Sequence, residues 1–252
     1  MAKTAVILAA GRGSRLDPRG GRQDFSKPLI EVGGRTLLDR TMQCCRLAGA
    51  ERILVVTGFR AELVADEAER LDRGDVETVY NPDWRKANGL SLYCCREHID
   101  SDFTLMMSDH IFAPSILSDL MALEAPEDSV TLAIDRKIAS VFDLDDATKV
   151  RTSGDRIVAI SKQLDPYDAV DCGLFLCTPA IFSALGEVYR ERGDCSLSQG
   201  MELLGQQGRF FTFDIGDRWW QDVDTPHMLA NAVAMLDRRA DSIAATFSPT
   251  GQ

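Results

Sequence analysis

The chain is short of positive charge: 28 lysines and arginines stand against 39 aspartates and glutamates in 252 residues, a formal net charge of −11. A broad basic surface is therefore absent, which argues against a nucleic-acid backbone or an anionic membrane as the main partner. No apolar run approaches the roughly 20 residues that span a bilayer, and the first residues enter a strand pattern directly rather than a secretory signal. The expected location is the cytoplasm, with no membrane insertion. The seven cysteines are odd in number. Two adjacent pairs, Cys44-Cys45 and Cys94-Cys95, fall in helical segments, so neither a disulfide framework nor a paired zinc motif is expected. A third glycine is missing from Gly11-Arg12-Gly13-Ser14-Arg15-Leu16, and Thr57-Gly58 stands where a dinucleotide fold carries its acid, which excludes a Rossmann dehydrogenase. Lys27 is followed by Pro28 rather than Ser or Thr, so there is no Walker lysine.

What is present is a hydrophobic fraction of 45%, enough for one large globular domain. Strand patterns at Thr4 to Ala9, Arg52 to Thr57, Val76 to Tyr80, Phe103 to Ser108 and Ser129 to Asp135 alternate with helical ones at Thr36 to Ala48, Ala61 to Leu71, Leu90 to His98 and Pro114 to Leu123. That alternation predicts an α/β fold with a mostly parallel sheet, covered on both faces, whose ligands gather at the carboxyl ends of the strands. Beyond Lys137 a hairpin at Ser153-Gly154-Asp155 joins Lys149 to Thr152 with Arg156 to Ser161, so the sheet becomes mixed. A strand at Asp171 to Cys177, helices from Pro179 and Leu197, a strand at Arg209 to Ile215 and a helix from Pro226 to Arg239 complete the pattern. We expect one domain over 1–245, with a nucleotide-binding half to about 136, an acceptor-binding half from 137 and a flexible tail at 246–252.

Three stretches carry candidate chemistry. The glycine loop, with Arg12, Arg15 and Lys27, gathers positive charge where the backbone can approach a triphosphate, although a plain strand-to-helix connection fits the same spacing. In Met106-Met107-Ser108-Asp109-His110 an apolar strand ends in an acid, suited either to holding Mg²⁺ or to capping a helix before Pro114. In Trp220-Gln221-Asp222-Val223-Asp224-Thr225-Pro226 two acids precede a helix that Asp224 or Thr225 could simply cap. His110 has no partner histidine at ligand spacing and is read as either a substrate contact or a residue behind the metal ligands.

The pattern L-A-A-G-x-G-x-R followed by K-P-L resembles the signature of sugar-phosphate and alcohol-phosphate nucleotidyltransferases. Asn88-Gly89-Leu90-Ser91-Leu92, Met107-Ser108-Asp109-His110, Ala147-Thr148-Lys149-Val150, Asp171-Cys172-Gly173 and Trp220 to Thr225 are similar, in the same order, to motifs of CTP:inositol-1-phosphate cytidylyltransferases. The resemblance implies a Rossmann-like, three-layer α/β/α nucleotide-diphospho-sugar transferase fold. It also implies Mg²⁺-dependent transfer of CMP from CTP to a small phosphorylated alcohol, giving a CDP-alcohol and pyrophosphate. By resemblance, Arg15 stabilises pyrophosphate, Lys27 bridges the α-phosphate and the acceptor phosphate, and Lys149 or Lys162 serves as a second phosphate-binding lysine. Asp109 and Asp222 hold Mg²⁺, with Asp224 a third candidate. Leu8, Ala9, Ala10, Gly11, Gly13, Ser14, Asn81 and Asn88 surround the nucleotide, and Asn88, Ser91, His110 and Asp171 face the acceptor.

The expected acceptor is inositol 1-phosphate. Phosphocholine or a phosphonate, or uridylyl or thymidylyl transfer to a sugar 1-phosphate, are the alternatives. A non-catalytic nucleotide-binding subunit would have lost basic or acidic site residues, yet Arg15, Lys27, Asp109 and Asp222 are all present, and a homodimer is compatible with the sequence. A quaternary ammonium would call for an aromatic cage, with Tyr80, Trp84, Tyr93, Trp219 and Trp220 as candidates.

Overall fold

The computed structural model describes residues 2–17 and 25–238, so the expected tail at 246–252 and the end of the last helix lie outside the described residues. Along the first half run β1 (Thr4–Leu8), the two-residue strands β2 (Glu31–Val32) and β3 (Arg35–Thr36), α1 (Leu37–Leu47), β4 (Arg52–Thr57), α2 (Ala61–Leu71), β5 (Val76–Tyr80), α3 (Gly89–Tyr93), β6 (Phe103–Met107), β7 (His110–Phe112), α4 (Pro114–Ala122) and β8 (Val130–Asp135). The second half adds β9 (Lys149–Ser153), β10 (Arg156–Ser161), β11 (Ala169–Cys177), α5 (Ala180–Arg192), α6 (Leu197–Gln206), β12 (Phe210–Asp214), β13 (Trp220–Asp222) and α7 (Pro226–Arg238).

Nine strands form one sheet in the order β5-β4-β1-β6-β11-β8-β12-β10-β9, with β11 also pairing β9. Seven strands share one direction and only β11 and β10 run against it, so the sheet is mixed, parallel over β5-β4-β1-β6 and between β8 and β12, and antiparallel wherever β11 or β10 takes part. Its central strands β1, β4, β6, β8 and β11 are apolar on both sides because both faces are covered. Val6 and Leu8 face a core with α3, α5 and α6, whereas Ala5, Ile7 and Ala9 face a second core with α1, α2 and α4. Three layers follow from that two-sided apolar pattern.

The helix expected over Leu90 to His98 is shorter: α3 tightens into a 3₁₀ turn at Cys94–Glu97. Apolar spacing does not separate the two, because both bury the same side. The periodicity also gave no sign of β7 and β13, each three residues long and paired antiparallel outside the main sheet.

Phe103 is fully buried on β6 and stacks on Phe182 of α5, with ring centroids 5.5 Å apart and planes 12° from parallel. Phe103→Ala removes that contact and leaves a cavity between sheet and helix. The expected loss is about 3–5 kcal/mol of stability, read from the midpoint of urea unfolding.

Candidate active site

Parallel pairing of β1 with β6, in a register that sets Leu8 opposite Met107, ends both strands at one edge. The Ser108 N–H donates to Leu8 O at 3.1 Å, and the chain then delivers Asp109 beside the glycine loop. Lys27 opens a 3₁₀ turn, Lys27–Leu29, and is 6% exposed. Its stem runs against Gly13, whose φ is +64° and where an added Cβ would lie 2.6 Å from Lys27 Cβ. The second glycine of the loop therefore serves the lysine as well as the turn.

The β7/β13 ribbon does the converging. It sets Asp222 directly opposite His110, and Val223 N–H donates to Asp109 O at 2.9 Å. Thr225 Oγ1 accepts from Met228 N–H at 3.2 Å and so caps α7, which leaves the Asp224 carboxylate for the cleft. Nor does Asp109 cap α4, whose N-cap position is Ala113.

The result is a row of alternating charges. Lys162 pairs with Asp146 at 2.9 Å, Asp146 with Arg15 at 2.6 Å, and Arg15 with Asp224 at 2.6 Å. Asp224 and Asp109 both pair with the Lys27 ammonium, and Asp109 Oδ1 meets His110 Nδ1 at 2.7 Å. Burial works against charge on Lys27, yet Asp109 and Asp224 outweigh it and hold its pKa above the ordinary lysine value. Burial likewise opposes ionisation of Asp109, but Lys27 and the His110 hydrogen bond keep that carboxyl well below the usual range. His110 is itself raised: burial opposes its charge, and Asp109, Asp222 and Asp171 overcome that. Burial pushes up Asp222, against the pull of His110.

Two open clefts meet along this row. One, of about 640 Å³, is lined by Leu8, Ala10, Gly11, Lys27, Trp84, Asn88, Ser91 and Ser108. The other, of about 820 Å³, is lined by His110, Asp146, Lys162, Asp171, Phe175, Trp220, Asp222 and Asp224. Asn88, Met107 and Asp109 border both. Ala9 faces the core behind the loop, and exposed Ser14 lies in the turn that follows Gly13. Asn81 is 1% exposed and spends its amide internally, donating to Ser91 Oγ at 3.0 Å and accepting from Asp83 N–H at 2.9 Å. Ser91, expected to face the acceptor, lines the smaller cleft. Asn88 Oδ1 accepts from Leu197 N–H at 3.1 Å and so ties α3 to the start of α6. Of the two competing lysines, Lys162 lines the larger cleft, whereas Lys149 is buried and donates to Asp145 O at 3.1 Å.

Asp146 was not found from the sequence. Its one trace is the acidic run before Ala147, which reads as a solvated loop. In the fold, oxygens of Asp146, Asp222 and Asp224 lie within 4.8 Å of one another, an all-oxygen donor set of the kind a hard divalent cation takes. The five aromatic residues do not form a cage. Tyr80 is exposed, Tyr93 packs on Tyr189 at 6.2 Å, Trp84 lines the smaller cleft, and Trp220 stacks on His110 at 5.9 Å in the larger.

Asp171 hangs at the wall of the larger cleft, accepting from Gly173 N–H at 2.7 Å, and burial pushes its pKa up to about 6. A folded-state pKa above the unfolded one means that folding favours the protonated form, so an ionisation penalty grows as pH rises from about 4 to above 6. Asp171→Asn keeps the acceptor oxygen without the charge. It should raise the melting temperature at pH 8 and raise it less at pH 5; an equal rise at both would show that Asp171 carries no such penalty.

Comparison with known proteins identifies the family. A model of the MobA-like NTP transferase domain matches residues 5–201. A bifunctional IPC transferase and DIPP synthase of Thermococcus kodakarensis is 34% identical over 237 residues, covering 94% of this chain and 51% of the relative. One of the same description from Rubrobacter xylanophilus is 36% identical, covering 92% and 51%. The chain thus spans about half the length of the curated relatives it matches. Among solved structures, the inositol-1-phosphate CTP transferase from T. maritima superposes with a TM-score of 0.80 at 27% identity, covering 94% of this chain and 96% of that one. Fold, glycine loop and sequence similarity agree, and the chain belongs to the MobA-like NTP transferase domain family of nucleotidyltransferases.

Proposed function

We propose that this protein transfers CMP from CTP to inositol 1-phosphate in a Mg²⁺-dependent reaction. The observation that carries the proposal is the buried Lys27 ammonium, which lines the cleft walled by the glycine-loop backbone and pairs with Asp109 and Asp224 of the other, itself lined by carboxylates, a histidine and Lys162. Similarity to the T. maritima inositol-1-phosphate CTP transferase supports the choice of nucleotide and acceptor.

In this reading the nucleotide lies in the smaller cleft with its phosphates toward Arg15 and Lys27. An oxygen of the acceptor phosphate attacks the α-phosphorus, the bond to the β-phosphate oxygen breaks, and pyrophosphate leaves with that electron pair. Lys27 neutralises the crowded phosphates between attacking and departing groups, and Lys162 holds the acceptor phosphate. Asp171, His110 and Asn88 orient the hydroxyls of the polyol. No protein nucleophile is required. Asp146, Asp222 and Asp224 fit Mg²⁺ by their oxygen-only chemistry and closeness, with Asp109 beside them. When bound, the cation offsets phosphate charge and holds the triphosphate in place.

Pyrophosphate release is the direct assay, with CTP, UTP or dTTP and Mg²⁺ against inositol 1-phosphate, phosphocholine, aminoalkylphosphonates and glucose 1-phosphate. Release with CTP and inositol 1-phosphate above all other pairs is expected; preference for another pair, or no release, overturns the reading. Lys27→Ala should lower kcat/KM by about 10²-fold or more, because its charge serves the transition state. Asp222→Asn should move the Mg²⁺ activation curve to higher concentration, and an unmoved curve would remove Asp222 from the metal site.

A further inference from the structure

Of the five aromatic candidates, Trp84 is the one that lines the smaller cleft, beside Leu8, Ala10, Gly11 and Ser108. Its packing explains Gly58: a Cβ there would lie 2.5 Å from Trp84 Cβ, 2.8 Å from Ala10 Cβ and 2.9 Å from Ala10 O. The Trp84 Cβ and the start of the glycine loop at Ala10 thus crowd the same side of Gly58, and Trp84 lines the cleft that the loop opens. Next to it the Phe59 N–H donates to Ala10 O at 2.9 Å, and the Phe59 ring lies 5.2 Å from Trp84, tilted by 60°.

The segment that carries Trp84 is fixed at several points. Asp83 N–H donates to Asn81 Oδ1 at 2.9 Å, Lys86 N–H to Asp83 O at 2.8 Å, and Ala87 N–H to Asp194 Oδ1 at 3.0 Å. Arginines gather on the aromatic pair, with Arg85 4.2 Å from the Trp84 ring centroid and Arg12 and Arg60 5.8 and 5.4 Å from that of Phe59. In a chain of net charge −11, this makes a local basic rim of the sort a polyanion approaches.

A strand end and a glycine loop supply hydrogen bonds to the edge of a planar base but little surface for its faces. A rigid indole beside that backbone supplies the missing surface. We propose that Trp84 is the wall against which the nucleobase packs and that it determines nucleotide affinity. The proposal rests on the reading of this cleft as the nucleotide site.

The test uses the whole chain as wild type, Trp84→Ala and Trp84→Phe, with melting temperatures to establish folding. Equilibrium dialysis with Mg²⁺ against CTP, UTP, ATP and GTP is combined with steady-state kinetics. Trp84→Ala should weaken binding of the preferred nucleotide, and raise its KM, by about ten- to a hundredfold, with kcat and the KM for inositol 1-phosphate within about twofold of wild type. Trp84→Phe should recover most of the loss, since a smaller aromatic face remains and a merely structural defect would not follow ring area. Unchanged nucleotide binding in Trp84→Ala, a rise in acceptor KM instead, or no nucleotide binding by wild type overturns the proposal. Tight binding of a nucleotide other than CTP that is lost in Trp84→Ala upholds the wall and overturns the choice of CTP.

Discussion

A buried ammonium stays charged only where carboxylates surround it, and Lys27 imposes that requirement on the whole site. Asp109 comes from the end of β6, Asp224 from the turn before α7, and Lys27 from a 3₁₀ turn after the glycine loop. Three segments far apart in sequence must therefore meet within hydrogen-bond distance. The parallel β1–β6 pairing, the positive φ of Gly13 and the β7/β13 ribbon are the structural means. Loss of any one leaves a charge in a nearly dry place.

Under the proposed function, the same balance accounts for polyanions entering the cleft of an acidic chain. Three cations of the cleft are matched by acids: Lys162 and Arg15 by Asp146, Arg15 and Lys27 by Asp224, Lys27 also by Asp109. Phosphates and carboxylates compete for such cations on similar geometric terms. A divalent cation entering with the substrate would draw on the same carboxylates and leave the cations to phosphate. The row of charges thus holds the cleft together in one state and has the composition to exchange partners in another.

Element order and type were legible because long, two-sided apolar strands and amphipathic helices carry strong periodic signals: β1, β4, β6 and β8 lie where the pattern of Val, Ile and Leu puts them. The three-residue strands β7 and β13 were not legible. A period of two needs more than three residues to show, and both segments read as loop and helix cap. Asp146 was hidden for a related reason, since an acid in an acidic loop looks solvated until the fold turns it toward Arg15 and Lys162. Asn81 and Lys149 show the converse: both are candidate site residues by sequence, and their polar atoms are nonetheless bound inside the protein.

What the sequence determined by itself was the alternation of strands and helices, the glycine loop with its basic residues, and the acids at Asp109, Asp222 and Asp224, because each is a local pattern of residue types. What only the tertiary structure decided was partnership. Asp224 goes to Lys27 and Arg15 because Thr225 takes the helix cap, Ser91 and Trp84 turn to the smaller cleft, and Lys162 rather than Lys149 reaches the larger. Such choices depend on distances between segments separated by up to 197 residues. No local spacing encodes those distances; they are set where buried charges must be neutralised and side chains must pack.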